Sequence, residues 1–279
     1  MLEEINRCKS AKSDYLDFSN MDISEIPKET FKDASYIKSL FLYGNKLSTL
    51  PDSVNNLVNL ERLFLQDNCF TFEKSFTILD ALSNLQVIDL RRNNIKGDMP
   101  KFLIRQKQLR QLLLCSNKIS KILPEIRNLS TLKIFTMSRN SLETSVPSSI
   151  FPLTELTLLD FSHTGISELP DTLCQCTSLE HLHLKNNNLQ ALPENIGSLS
   201  ELKSLRLGNN KLRSLPESLS NCTKLEILDV ENNKLSQLPN KLFIKMTSLT
   251  NVLLSYNEFH ELLLSEETLF ESVRVFNIL

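Results

Sequence analysis

Leu202-Lys203-Ser204-Leu205-Arg206-Leu207-Gly208-Asn209-Asn210-Lys211-Leu212 is followed, 23 residues on, by Leu225-Glu226-Ile227-Leu228-Asp229-Val230-Glu231-Asn232-Asn233-Lys234-Leu235. Both stretches read Leu-x-x-Leu-x-Leu-x-x-Asn-x-Leu. The Leu-x-Leu core alternates in and out, so it describes a short strand with its leucines on one side. One such segment cannot bury its apolar side alone; copies stacked side by side can.

Working outward from this pair, the anchor residue recurs as Leu179, Leu156, Leu132, Leu109, Leu85, Leu60 and Ile37. A degenerate first copy starts at Ser13 with Leu16, Phe18 and Ile23, and a late one starts at Leu249. The chain therefore divides into an N-terminal capping segment over 1–12, eleven repeats of 23–25 residues over 13–264, and a partial, uncapped twelfth within 265–279. Stacked strands of one direction form a parallel sheet and need a return segment between them. In Leu192-Pro193-Glu194-Asn195-Ile196-Gly197-Ser198-Leu199 that return supplies its own inward-pointing apolar residues. Leu2, Ile5 and Cys8 lie at helical spacing, with acids ahead of Arg7, Lys9 and Lys12, so a short helix over 2–11 is expected to cover the first repeat. One helical turn or two is expected within 265–272, before a strand begins at Val273.

The ninth position is Asn at 45, 68, 93, 117, 140, 187, 210, 233 and 257, with Met21 and Thr164 in the two exceptions. An amide carries donors and an acceptor, so a column of them can satisfy the turns of successive repeats. Thr164-Gly165 predicts a local irregularity in that column. Leu or Ile followed by Pro marks the returns at Pro27, Pro51, Pro170, Pro193, Pro216 and Pro239, but Pro100, Pro124 and Pro147 sit one residue later. The third repeat has 25 residues and no Pro, so irregular geometry is expected between 70 and 150.

The period and spacing resemble those of the leucine-rich-repeat family over almost the whole chain. That resemblance implies an α/β leucine-rich-repeat solenoid: a curved parallel sheet on the concave face, with short helices, 3-10 turns and loops on the convex face. The Leu/Ile-Pro returns resemble the short intracellular class found in Ras-associated scaffolds and Ras-suppressor-like proteins. The strands are expected to centre on 63–65, 112–114, 182–184 and 205–207.

Composition excludes several classes. The 279 residues are 41% hydrophobic and 23% charged with a net charge of -2, so no basic surface points to nucleic acid. No apolar run approaches the roughly 18 residues that span a bilayer. The opening Met1-Leu2-Glu3-Glu4 has acids where a signal peptide is basic, and six scattered cysteines replace the clustered disulfide caps of secreted repeat proteins. A cytoplasmic protein is the expectation. Asn128-Leu129-Ser130 and Asn221-Cys222-Thr223 match a glycosylation pattern that arises readily by chance in so Asn- and Ser-rich a sequence.

Catalytic signatures are weak. His181 and His183 lie two apart on one strand and His163 on the preceding repeat, but no carboxylate or cysteine completes a metal set, and solvent-facing contact residues are the default. Cys174-Gln175-Cys176 is not a redox motif. Cys176 and Cys222 share a slot three residues before an anchor Leu that reads as a small buried position, while Cys115 faces the concave side with no activating neighbour. Five glycines supply no phosphate loop. Neither an enzyme nor a cofactor is expected.

The outward face of the strands is left to carry function. Tyr15, Phe41, Tyr43 and Phe64 cluster there with Arg62, and Arg91, Arg92 and Arg110 come next. Exposed aromatics beside arginines are typical of protein-binding hot spots. Tyr15, Phe41, Tyr43, Arg62, Phe64 and Arg91 are therefore the expected contact residues. A weaker basic patch of His181, His183, Lys185, Lys203 and Arg206 lies further along, ahead of Glu226, Asp229 and Glu231. The first functional expectation is an intracellular adaptor in signalling, its partner a small GTPase or a phosphatase as the resemblance implies. The second is the targeting part of a larger kinase, phosphatase or cyclase. Self-association through the uncovered C-terminal edge is a further expectation, and an extracellular receptor fragment ranks third.

Overall fold

The computed structural model describes residues 2–11, 13–71, 76–142, 146–148, 151, 153–240, 242–259 and 275–277. Its contacts divide the chain into two compact units, Met1–Asn140 and Ser141–Leu279. Each is a stack of leucine-rich repeats built on one parallel sheet.

Unit 1 opens with α1 (Leu2–Ala11), which turns Ile5 and Cys8 inward as the helical spacing predicts. Its strands are β1 (Tyr15–Asp17), β2 (Ser39–Phe41), β3 (Arg62–Phe64), β4 (Val87–Asp89), β5 (Lys96–Asp98), β6 (Gln111–Leu113), β7 (Lys118–Lys121) and β8 (Ile134–Thr136). The main sheet runs β1-β2-β3-β4-β6-β8, every described pair parallel and in register, so that Leu16, Leu40, Leu63, Ile88, Leu112 and Phe135 form one inward row. Unit 2 contains β9 (Leu158–Asp160), β10 (His181–His183), β11 (Ser204–Arg206), β12 (Ile227–Asp229), β13 (Asn251–Leu253) and β14 (Val275–Asn277), paired parallel in that order. The expected helical turn within 265–272 lies outside the described residues.

The strands begin one residue earlier than the expected centres. The ladder takes the residues on either side of the first inward leucine, and the turn claims the residues after the second. Beyond the strand the repeats stay joined by further backbone bonds, such as Leu65 N–H to Asp89 C=O at 2.8 Å and Asp67 N–H to Arg91 C=O at 2.9 Å, as the backbone reverses. The reversal is the same in all eleven repeats: the residue before the ninth position has positive φ, from Asn20 and Gly44 through Asp67, Arg92 and Arg139 to Tyr256. Only short polar residues and Gly adopt this left-handed region easily, which explains the Asn, Asp and Gly found there.

The asparagine column closes each turn. Nδ2 of Asn210 donates to Leu184 C=O at 2.9 Å and Leu207 C=O at 2.8 Å, and its Oδ1 accepts the Leu189 N–H at 3.1 Å. One amide thus ties two repeats together, and Asn45 to Asn140 and Asn187 to Asn257 do the same within their units. Thr164 breaks the pattern as its sequence predicts. Its hydroxyl lies 2.7 Å from Phe161 C=O and 3.1 Å from Asn187 Oδ1. Asn187 Oδ1 then takes the N–H groups of Thr164 and Gly165, at 3.0 and 2.8 Å, in place of the usual single donor two residues past the ninth position.

The delayed prolines have a structural counterpart. In the fourth and fifth repeats the extra residue forms a second, two-stranded parallel sheet, β5 with β7, with a register shift at Gly97/Asp98. Most described returns, those of the fourth and fifth repeats included, carry short 3-10 helices, such as Asp52–Asn56, Asp171–Gln175 and Glu217–Asn221, which bury Val54, Leu173 and Leu219.

Candidate protein-binding face

Inward leucines leave the third, fifth and seventh positions of each repeat on the open face of the sheet. In unit 1 the fifth position places Phe41 on β2 directly beside Phe64 on β3. Their rings stack with centroids 4.8 Å apart and planes within 1° of parallel. Tyr15 on β1 adds an edge-on ring 6.3 Å from Phe41 and is 47% exposed. Strand spacing and ring stacking share the same repeat distance of about 4.8 Å, so in-register strands impose the stack. Tyr43, two residues past Phe41, stands in the next column of the same face, half-buried.

The arginines divide into two kinds. Arg62 is exposed and donates from Nε to Ser39 Oγ at 2.8 Å, which holds it beside the stacked rings. Arg91 is committed to its own chain: Nε and Nη2 grip the carboxylate of Asp89, at 2.9 and 2.6 Å, and Asp89 is 1% exposed. That bond, set against partial burial, raises the Arg91 pKa. The sequence pattern places Arg91 against a partner; in the structure the buried Asp89 is the carboxylate it meets. Arg92 likewise pairs with Asp67 through Nη2 at 2.6 Å and holds that carboxyl below its usual range.

Asp89 is one of four fifth-position aspartates with the same local bond. Asp17, Asp89, Asp160 and Asp229 accept the backbone N–H two residues on, at 2.9, 3.0, 2.9 and 3.2 Å. They terminate strands as Asx turns, a structural role that Asp at the fifth position of a repeat signals once it is sought.

The open face of unit 2 is more polar: half-buried Leu158, Ile227 and Leu253 are interspersed among charged and polar side chains. Lys203 pairs with Glu180 at 2.7 Å. Lys185 Nζ lies 2.7 Å from Asp229 Oδ2, passing over Gly208. His183 sits between Asp160 and Arg206 in register, and its Nε2 is buried with no partner among the described residues. Burial lowers its pKa; Asp160 opposes that shift, while Arg206, His181 and Lys185 add to it. The rings of His181 and His183 are 6.2 Å apart, and His163 turns to Asn186 at 3.0 Å instead of joining them. Among the described residues no group of three or more His, Cys, Asp or Glu side chains could hold a metal ion.

No disulfide joins any of the six cysteines. Cys176 and Cys222 are wholly buried, as their shared slot predicts, and burial pushes their thiols up to about 11 and about 12. Cys115 is half-buried on the open face. No described helix is long and apolar enough to cross a membrane.

Comparison with known proteins agrees with the geometry. Family models described as leucine rich repeat match residues 14–70, 177–235, 200–259 and 84–105. The chain belongs to the leucine-rich-repeat family. It is 30% identical over 163 residues to "Probable serine/threonine-protein kinase pats1" of Dictyostelium discoideum, a match that covers 56% of this chain and 5% of that protein. Among solved structures it resembles a TDR receptor with a TM-score of 0.82 and 27% identity, covering 91% of this chain and 45% of that one. It also resembles the leucine-rich-repeat ectodomain of the Arabidopsis thaliana membrane receptor kinase GASSHO1/SCHENGEN3, in complex with CASPARIAN STRIP INTEGRITY FACTOR 2. There the TM-score is 0.55 and identity 25%, covering 88% of this chain and 35% of that one. The chain spans less than half the length of each of these proteins.

Proposed function

We propose that this chain is a non-catalytic protein-binding module whose partner docks on the open sheet face of unit 1. The observation that carries this is the parallel Phe41–Phe64 stack, extended by Tyr15, on a face that the repeat leaves open. Stacked aromatics on solvent cost free energy in the unbound state, and desolvating them commonly supplies much of the affinity at an interface. The Leu/Ile-Pro returns favour a signalling adaptor, with a small GTPase or a phosphatase as the partner. Six cysteines without a disulfide, two of them wholly buried, favour a reducing compartment such as the cytoplasm. The test compares proteins captured by the parent chain and by its Phe41→Ala/Phe64→Ala variant. Loss of a defined set of partners is expected, and an unchanged set would move the contact elsewhere.

A second reading is favoured by one observation: the chain matches only 5% of a kinase and 35% of a receptor-kinase ectodomain. On it, the same face is the ligand-reading part of a larger signalling protein. Sequencing the transcript from end to end distinguishes the two.

A further inference from the structure

Beyond the stacked rings, the open face of unit 1 does not become polar at its centre. Val87 on β4, Leu113 on β6 and Ile134 on β8 continue the apolar surface, each half-buried. They alternate between columns: Phe64 and Leu113 at the fifth position of their repeats, Val87 and Ile134 at the third. The result is a zigzag stripe crossing five strands, with one apolar side chain per strand from Phe41 to Ile134. Strands of such a sheet are about 4.8 Å apart, so the stripe is about 19 Å long.

Its margins are basic. Among the charged residues flanking β2 to β8 on this face, the acids Glu61, Asp67 and Asp89 are each held in an ion pair, with Lys38, Arg92 and Arg91. Arg62, Arg110 and Arg139 add positive charge beyond those pairs, and all three are exposed. Exposed Lys133 stands beside Arg110 along one margin, where its N–H bonds to Arg110 C=O at 2.8 Å. Adjacent like charges beside an apolar stripe make a surface complementary to acidic side chains.

We propose that this stripe takes an amphipathic α-helix of a partner, apolar on one face and acidic on its flanks, laid across the strands. The inference rests on the reading of unit 1 as the binding face and names the partner's chemistry. A helix rises about 5.4 Å per turn, close to the strand spacing, so side chains at i, i+3 or i+4, and i+7 meet one strand each. Their left-right alternation on the helix face matches the zigzag of Phe64, Val87, Leu113 and Ile134. About 13 residues of helix cover the stripe. An extended segment fits less well, because its surface-facing residues are about 6.8 Å apart.

The probe is a displayed library of 18-residue amphipathic helices whose flanking positions are each Glu or Lys, selected on the full chain. Glu is expected at the flanks of the enriched peptides. Their affinity should fall at least tenfold on Arg62→Glu/Arg110→Glu and at least tenfold on Phe64→Ala, with both variants melting near the parent. A Pro placed mid-helix should abolish binding, and Arg206→Glu in unit 2 should leave it unchanged. Enriched peptides that need Phe64 but carry Lys flanks, or tolerate the Pro, overturn the acidic helix and leave the face intact. Peptides indifferent to Phe64→Ala overturn the face itself, and no enrichment at all overturns the helix proposal.

Discussion

Lys185 and Asp229 are 44 positions apart and belong to repeats that are not neighbours, yet Nζ and Oδ2 meet at 2.7 Å. The repeat between them presents Gly208 at the crossing point. A Cβ there would lie 2.9 Å from Lys185 Cε and 2.9 Å from Asp229 Oδ1, so the bridge exists because that side chain is missing. Asp229 is 2% exposed and Lys185 30%.

That crossing makes Gly208 a sensitive position. Gly208→Val should push the ammonium aside and leave a buried carboxylate short of its partner, costing about 3 kcal/mol, the lower end for a broken buried pair because Lys185 keeps some solvent. Lys185→Met should cost a similar amount, and adding Asp229→Asn should recover part of it. Denaturant unfolding of the three variants measures this; a Gly208→Val protein as stable as the parent refutes it.

Asn210→Ala removes the amide between Leu184, Leu189 and Leu207, which strips the Leu189 N–H of its bond and leaves each carbonyl one amide donor, from Asn187 and Asn233, in place of two. A loss of roughly 1–3 kcal/mol is expected. Hydrogen exchange should quicken in the repeats on both sides, since neighbours share the column. Exchange confined to the mutated turn would show that the column does not couple repeats.

On the open face the expectation reverses. Phe64→Ala should change the melting temperature little, because the ring is half-exposed, while weakening partner capture at least tenfold. Asn251→Ala, on the open face of unit 2, is the control and should bind as the parent does.

Burial holds the His183 pKa below its ordinary value, so the folded chain binds fewer protons than the unfolded chain as the pH drops through the ordinary histidine range. The stability this residue permits is therefore complete above that range and declines on acidification, until the folded-state imidazole also titrates. Melting of the parent should fall more steeply than that of His183→Gln between about pH 7 and pH 5. Parallel curves would place the imidazole in ordinary solvent.

Thiol labelling near pH 8 should modify exposed Cys69 first and spare Cys176 and Cys222 until denaturant is added, since burial keeps both protonated. Early modification of Cys222 would mean that the returns open readily.

The repeat, its strands and the asparagine column were legible because a strict spacing repeats eleven times, and even the fault at Thr164 could be read from one missing amide. The candidate face was legible in part. Phe41 and Phe64 could be placed side by side because register follows from anchor spacing. Arg91 could not be placed, since its grip on Asp89 depends on side-chain conformation within a single strand end. The Lys185–Asp229 bridge was hidden for a related reason: it skips a repeat, and a one-period alignment compares only neighbours. The second small sheet showed itself only as two prolines, Pro100 and Pro124, displaced by one residue.

The positive φ ahead of every ninth position also marks where this fold keeps thermal reserve. Arg139 at φ 57 and Tyr256 at φ 56 occupy a conformation that penalises a Cβ by on the order of 1 kcal/mol, whereas Asn186, Asn209 and Asn232 tolerate it with less strain. Arg139 and Tyr256 are exposed and lie outside the core. Exchanging each for Asn or Gly would raise the melting point by additive steps, one repeat at a time, without altering the inward rows of leucine or the aromatic stack.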